Sequence, residues 1–354
     1  MWRECPHLGP ARNILRNDAF EKQKGGNQTR RWHYVLVDVG SSRAAAPNLM
    51  DAGVAIGWRL VDLERPGATS PLLLLAEHRG MIGCGDWRDE DLVFQFQSLR
   101  GLVGVATAQL KGLSTLVRDD SGLLLHPAIT LIRGLAEACG TAMWMCEPWI
   151  TPIDEDADVP LDEWKKLSAP ILPRSQLVML DGLADRGRRH RADGREDVAI
   201  EDDDRLRNER DRIFLAQAGV DTILAGDRRQ WVIAGQRMPT RTELAVTATE
   251  YSYGQHFRNS GMNPYPMLSG YAHASLDVVF AYGTANVKPP LSGLLIAPVD
   301  EIHQIMSLGL RIYAAMLDFM VKTFGVEDDA FIDWDQQVNS FVKVSASDKP
   351  EAET

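Results

Sequence analysis

The sequence predicts a mainly α-helical protein, a helical bundle with a small N-terminal extension. Three observations carry that expectation. Long stretches place apolar residues three and four apart, the period of a helix with one buried face. Proline, glycine and aspartate punctuate those stretches where helices start and stop. Apolar residues make up 45% of the 354 residues, enough for a sizeable core.

Residues 1–30 are polar and charged and lead into the run KQKGGNQTRR, so they read as disordered. The runs WHYVLVDV (32–39) and VAIGWRLVDL (54–63) have strand character. Residues 31–86 are therefore expected to form a small extension with strands. The helical pattern begins near Asp91. Leu92, Phe96, Leu99, Val103, Ala106, Leu110, Leu113 and Val117 step by fours and threes, and Asp119–Asp120–Ser121–Gly122 ends the run. A second helix spans Pro127 to Pro148 and is apolar nearly all round, which places it centrally in a bundle domain over residues 87–325.

Between residues 150 and 204 the chain reads as a charged, solvated insertion. Asp154, Glu155, Asp156 and Asp158 precede a basic cluster of Arg186, Arg188, Arg189, His190, Arg191 and Arg195, and an acidic run from Glu201 to Asp204 follows. Blocks of this kind neutralise each other. No aromatic residue interleaves the arginines, so the stacking platform usual for single-stranded RNA is missing. In DDDRLRNERD (202–211) arginines alternate with aspartates, the composition of an exposed helix start rather than of a metal-diphosphate cavity.

A helix from about Arg205 to Ala218 continues the bundle. The next spans Thr240 to Gly254, with Thr240 and Glu243 at capping-box spacing. VKPPLSG (287–293) is a turn. The last helix follows Pro298 and carries the stripe Ile302, Ile305, Gly309, Ile312, Met316 and Phe319; Gly325 ends it, and residues 344–354 read as a disordered tail.

The formal charge of −11 argues against general affinity for nucleic acid or anionic membrane. The four cysteines, Cys5, Cys84, Cys139 and Cys146, form no CxxC pair and suit reduced, buried thiols. The longest greasy stretch, Leu123 to Cys146, is interrupted by Arg133 and Glu137 and is too charged to span a bilayer. A cytoplasmic location, no membrane association and no cofactor are expected.

Polar chemistry is grouped most tightly in NPYPMLSGYAHASLDVVFAY (263–282), where Asn263 can cap and Pro264 can open a buried helix. Ser269, His273 and Asp277 are successive i, i+4 partners and form a ladder on one face. A carboxylate one turn from a histidine fixes its tautomer and raises its basicity. The ladder is compatible with a general base, with a structural relay or with half of a metal site; metal ranks last, because no second cluster has ligand spacing. Arg133 and Glu137 are also four apart, and a charged pair in so greasy a helix must neutralise itself or serve a site.

Two segments together resemble the helical HEPN-like proteins of actinobacteria. HPAITLIRGLAEACGTAMWMCEP (126–148) is similar to that group's helix of arginine, three residues, glutamate, then a tryptophan before a proline. YPMLSGYAH (265–273) is similar to its tyrosine–arginine–x–leucine–serine–x–x–x–histidine segment. The resemblance covers about residues 90–325 and implies an all-α, HEPN-like bundle that often dimerises. HEPN ribonucleases cleave RNA without metal, using the 2′-hydroxyl as nucleophile and an arginine four to six residues before a histidine. By that resemblance His273 and Ser269 carry over, whereas the arginine position holds Pro266.

Three functions follow as expectations. The first is a catalytically degenerate interaction or regulatory module, working as a homodimer or with a protein partner, in the setting of phage–host conflict that the resemblance supplies. The second is a metal-independent RNA endonuclease. There His273 would be base or acid, Ser269 and Asp277 would orient it, and Arg133 or Arg258 would stabilise the developing charge. The third is a small-molecule or nucleotide pocket lined by Arg133, Glu137, Trp144 and His273, with Arg258 nearby.

Overall fold

The computed structural model describes residues 39–78, 89–118, 125–150, 161–216, 222–223, 231–253 and 299–344. Those residues are mainly α-helical, as the periodicity requires. The strand expected over 54–63 is absent, since α1 runs from Val39 to Val61 as one helix, and the run expected as a strand over 32–39 lies, but for Val39, outside the described residues. Ala46, Met50, Val54 and Leu60 are buried along it. The short window VAIGWRLVDL resembles a strand because it is rich in Val and Ile. Over 23 residues the helical spacing wins, because the stripe lets one face enter the bundle. Gly57 permits the closest approach: a Cβ there would stand 1.9 Å from the Tyr313 hydroxyl oxygen and 2.3 Å from Thr107 Oγ1. The residues of the expected extension thus include a core element.

α2 (Pro71–His78) follows, and Ser70 caps it by accepting from the Leu72 N–H at 3.1 Å while donating to the Thr323 carbonyl at 2.6 Å. α3 (Asp89–Arg118) buries Phe96, Leu99, Val103, Ala106, Leu110, Leu113 and Val117, the stripe its spacing predicts. α4 (Leu125–Ile150) is buried almost all round from Ala128 to Cys146 and is the centre of the bundle. α3 packs between α1 and α4.

Within the charged segment the described residues, from Leu161 on, are largely helical. α5 (Leu161–Ser168) leads into an antiparallel hairpin of α6 (Ile171–Ala192) and α7 (Glu196–Ala216), joined through Gly194 at φ 71°. Arg186 to Arg191 of the basic block lie on α6, with Arg195 just past its end, and the acidic run Glu201 to Asp204 lies on α7 facing them. Asp202, nearly fully buried, accepts from Arg186 Nε at 2.7 Å and lies 2.9 Å from His190 Nδ1. Arg191 pairs with Asp203. The DDDRLRNERD run therefore sits mid-helix rather than at a helix start, because the pairing needs both blocks in helical register. Arg212 Nη2 of α7 anchors the hairpin to the bundle through Asp91 Oδ1 of α3 at 2.9 Å.

Three two-residue strands, β1 (Thr222–Ile223), β2 (Val232–Ile233) and β3 (Gln236–Arg237), pair antiparallel in that order. β2 and β3 turn through Ala234 and Gly235, both at positive φ. α8 (Arg241–Tyr253) starts with the expected capping box: Thr240 N–H donates to Glu243 Oε2 at 2.7 Å, and Glu243 N–H donates to Thr240 Oγ1 at 3.2 Å.

α9 (Val299–Phe324) packs on α4, α8 and α1. It ends at Gly325, φ 63°, with Val326 N–H donating to the Val321 carbonyl and Gly325 N–H to that of Lys322, a Schellman stop. A final helix, α10 (Asp329–Val344), buries Phe331, Trp334, Val338 and Val342 and is tied to α1 by Trp334 Nε1 donating to the Leu49 carbonyl at 2.7 Å. No described helix is long and apolar enough to cross a membrane.

Candidate functional site

α4 and α8 lie side by side in a fixed register. Tyr251 Oη donates to Glu147 Oε1 at 2.8 Å, across a sequence separation of 104. Arg241 Nε approaches Glu137 Oε2 at 3.9 Å with the same offset. Between them Gly140 meets Leu244, again at that offset, so the two helices run parallel. A Cβ on Gly140 would fall 2.0 Å from the Leu244 carbonyl oxygen, so the backbones touch there. That contact sets α8 against the face of α4 that carries the side chains the sequence singles out.

Arg133, Glu137, Gly140, Trp144 and Glu147 share one face of α4 by spacing. Arg133 Nε donates to Glu137 Oε1 at 2.9 Å, with the two side chains 14% and 21% exposed. The local i, i+4 geometry forms this pair, and α8 adds Arg241 on the second carboxylate oxygen. Trp144 lies two turns further on, beyond the Gly140–Leu244 crossing, roughly 10 Å along the axis. Arg133 and Glu137 are brought together; Trp144 stands apart from them along α4 itself.

Trp144 has its own partner. Pro148 lacks an N–H, so the carbonyl four residues earlier, on Trp144, has no helical donor. Arg174 of α6 fills that role: its Nη1 donates to the Trp144 carbonyl and its guanidinium lies over the Trp144 ring, 5.1 Å from the centroid. The same Nη1 is 3.1 Å from Glu147 Oε2, and Nε donates to Gln236 Oε1 of β3 at 3.0 Å. One side chain thus ties α4, α6 and the β-hairpin together. Sequence reasoning missed Arg174; the signal was the proline inside a buried helix, which obliges some donor to reach the orphaned carbonyl.

Two thiols lie on the same helix. Burial pushes the Cys146 thiol up to about 12 and the Cys139 thiol higher still. Both are free and buried, as reduced core cysteines would be. Among the described residues no group of three or more His, Cys, Asp or Glu side chains could hold a metal ion.

A second missed residue is Arg311, in the middle of α9. Its guanidinium lies over the Tyr253 ring of α8, 4.7 Å from the centroid, and its Nε is buried without a hydrogen-bond partner. The signal was visible as a lone arginine inside a stripe of Ile, Leu, Met and Phe.

Ser269, His273, Asp277, Arg258 and Pro266 lie outside the described residues, as does the whole stretch 263–282. No protein-family model, no curated protein and no solved structure matches the chain.

Proposed function

We propose that this protein is a HEPN-like helical bundle that is catalytically degenerate and acts as an interaction or regulatory module, as a homodimer or with a protein partner. The observation that carries the reading is the Arg133–Glu137 pair. Arg133 is the residue that would stabilise a developing phosphorane charge, and it is held at 2.9 Å by a carboxylate one turn away on its own helix. A guanidinium neutralised in this way offers a transition state far less than one held ready for it. Pro266 at the position of the family arginine supports the same reading. The β-hairpin and the α6–α7 hairpin, both docked on the bundle, give such a module surface beyond its helical core.

The test is cleavage of a mixed single-stranded RNA panel in EDTA, run with wild type, His273→Ala and Arg133→Ala. Wild type is expected to leave the panel intact. Cleavage by wild type that both substitutions abolish would replace this reading with a metal-independent ribonuclease. Sedimentation equilibrium of the intact chain tests the homodimer directly; a monomer at every concentration would leave a protein partner as the mode of action.

A further inference from the structure

The arginines held within the fold are matched to acceptors. Arg133 holds Glu137, Arg174 holds Glu147, Arg186 holds Asp202 and Arg212 holds Asp91. Arg100, with no carboxylate partner among the described residues, donates its Nε to the Val61 carbonyl at 2.7 Å. Arg311 departs from this pattern. No carboxylate among the described residues pairs with it, although the chain carries 49 acidic side chains against 38 basic ones. Its Nε–H is buried and donates to nothing.

One turn before it on the same face, Ser307 is 6% exposed and its hydroxyl is likewise buried without a partner. Side chains four apart on a helix sit about 5–6 Å from each other at Cβ. Two unmet donors therefore converge beside one positive charge. Tyr253 supports the guanidinium from its face, which leaves the in-plane N–H edge for an acceptor. Burial also pulls the Arg311 pKa down, the sign of a cation whose solvation has not been replaced. Leaving a buried guanidinium N–H and a buried hydroxyl both unmatched is costly, and natural interiors match such groups.

We propose that Arg311 and Ser307 form a binding site for the phosphate group of a small phosphorylated ligand. The guanidinium edge offers Nε–H and an Nη–H to two oxygens side by side, and the serine hydroxyl serves a third. A phosphate monoester has three terminal oxygens for these three donors, whereas a carboxylate has two. The site is independent of the ribonuclease question, because neither residue belongs to the ladder or to the Arg133–Glu137 pair.

The test uses the full chain and inorganic phosphate, followed by phosphorus-31 NMR line broadening and by calorimetry. Chloride at matched ionic strength and acetate serve as controls, and adenosine monophosphate and glucose 6-phosphate as organic phosphates. Saturable binding with one phosphate per chain is expected, reduced at least tenfold by Arg311→Met and severalfold by Ser307→Ala. Arg311→Lys retains charge but not the fork and should fall between wild type and Arg311→Met. Stronger binding of one organic phosphate than of inorganic phosphate would identify the remainder of the ligand. Phosphate binding no tighter than chloride, or binding that Arg311→Met leaves unchanged, would overturn the proposal. Acetate binding as strongly as phosphate would overturn the phosphate assignment. Should Arg311→Met fail to fold, Ser307→Ala decides alone, since it removes only a hydroxyl.

Discussion

Replacing Arg174 by alanine should be among the most damaging single substitutions in the bundle, and its cost should depend on Pro148. Four contacts are lost at once, and beside the hydrogen bond to Gln236 three of them set the cost. A charged donor on a buried carbonyl is worth about 1.5–3 kcal/mol, because the carbonyl of Trp144 is then left without a partner. The stacking of the guanidinium on the Trp144 ring adds about 1 kcal/mol in this partly desolvated setting. The ion pair with Glu147, whose side chain is 40% exposed, adds under about 1 kcal/mol. Arg174→Ala should therefore lower the unfolding free energy by about 3 kcal/mol, read from urea denaturation followed by tryptophan fluorescence and far-UV circular dichroism. Pro148→Ala restores an N–H that can reach the Trp144 carbonyl within the helix. In that background the Arg174→Ala cost should shrink by about 1–2 kcal/mol, a coupling that a double-mutant cycle measures directly. Strict additivity of the two substitutions would refute the idea that Arg174 answers the carbonyl that proline orphans.

The same glycine-to-alanine change should have opposite signs at two positions. Gly101 of α3 has open space around it, so alanine there should stabilise by about 0.5–1 kcal/mol through helix propensity. At Gly140 the obstacle is the Leu244 backbone, and moving from 2.0 Å to ordinary contact at 3.4 Å forces α8 away from α4 by about an ångström; a loss of about 3 kcal/mol or more is expected in thermal melts. The hydrogen bond from Arg237, with that from the Thr240 backbone behind it, holds the Glu243 carboxyl down at about 2, against an ordinary 4.5. A carboxylate depressed on folding contributes stability that is fully present above pH 4.5 and is lost as pH falls towards 2. The stability gap between wild type and Glu243→Gln should therefore close across that window, and a gap that persists at pH 2 would contradict the pairing. Cys139 and Cys146 should resist iodoacetamide at pH 8 in the native protein and react fully in urea; mass spectrometry showing native labelling at either would contradict their burial.

Local chemistry alone was enough for much of this fold. The stripe of α3 from Phe96 to Val117, the all-round apolarity of α4, the Thr240–Glu243 box and the Gly325 stop are set by residues within one or two turns of each other. Such signals survive in a sequence because helical hydrogen bonds and caps join near neighbours. The Arg133–Glu137 pair is legible for the same reason, being four residues apart on one helix.

Tertiary structure decided the rest. Val54–Val61 has the composition of a strand, yet burial of the longer Ala46–Leu60 stripe, with Gly57 pressed against Tyr313 and Thr107, makes it helix. The basic and acidic blocks around Arg186 and Asp202 read as solvated chain because neither carries an apolar face; their pairing across the hairpin, with Leu177, Leu180, Ala199 and Ile213 buried along the same helices, sets them in place. The register of α8 on α4 rests on the backbone contact at Gly140 and on the side-chain contacts of Glu137 with Arg241 and Glu147 with Tyr251, and the partner of the Trp144 carbonyl comes from Arg174, thirty residues away. Arg311 shows the limit most clearly. Its sequence marks it as a lone arginine in an apolar stripe, but that it stands over Tyr253, with no carboxylate among the described residues paired to it, is a fact of packing. A sequence specifies which groups need partners, and only the assembled fold determines which of them go without.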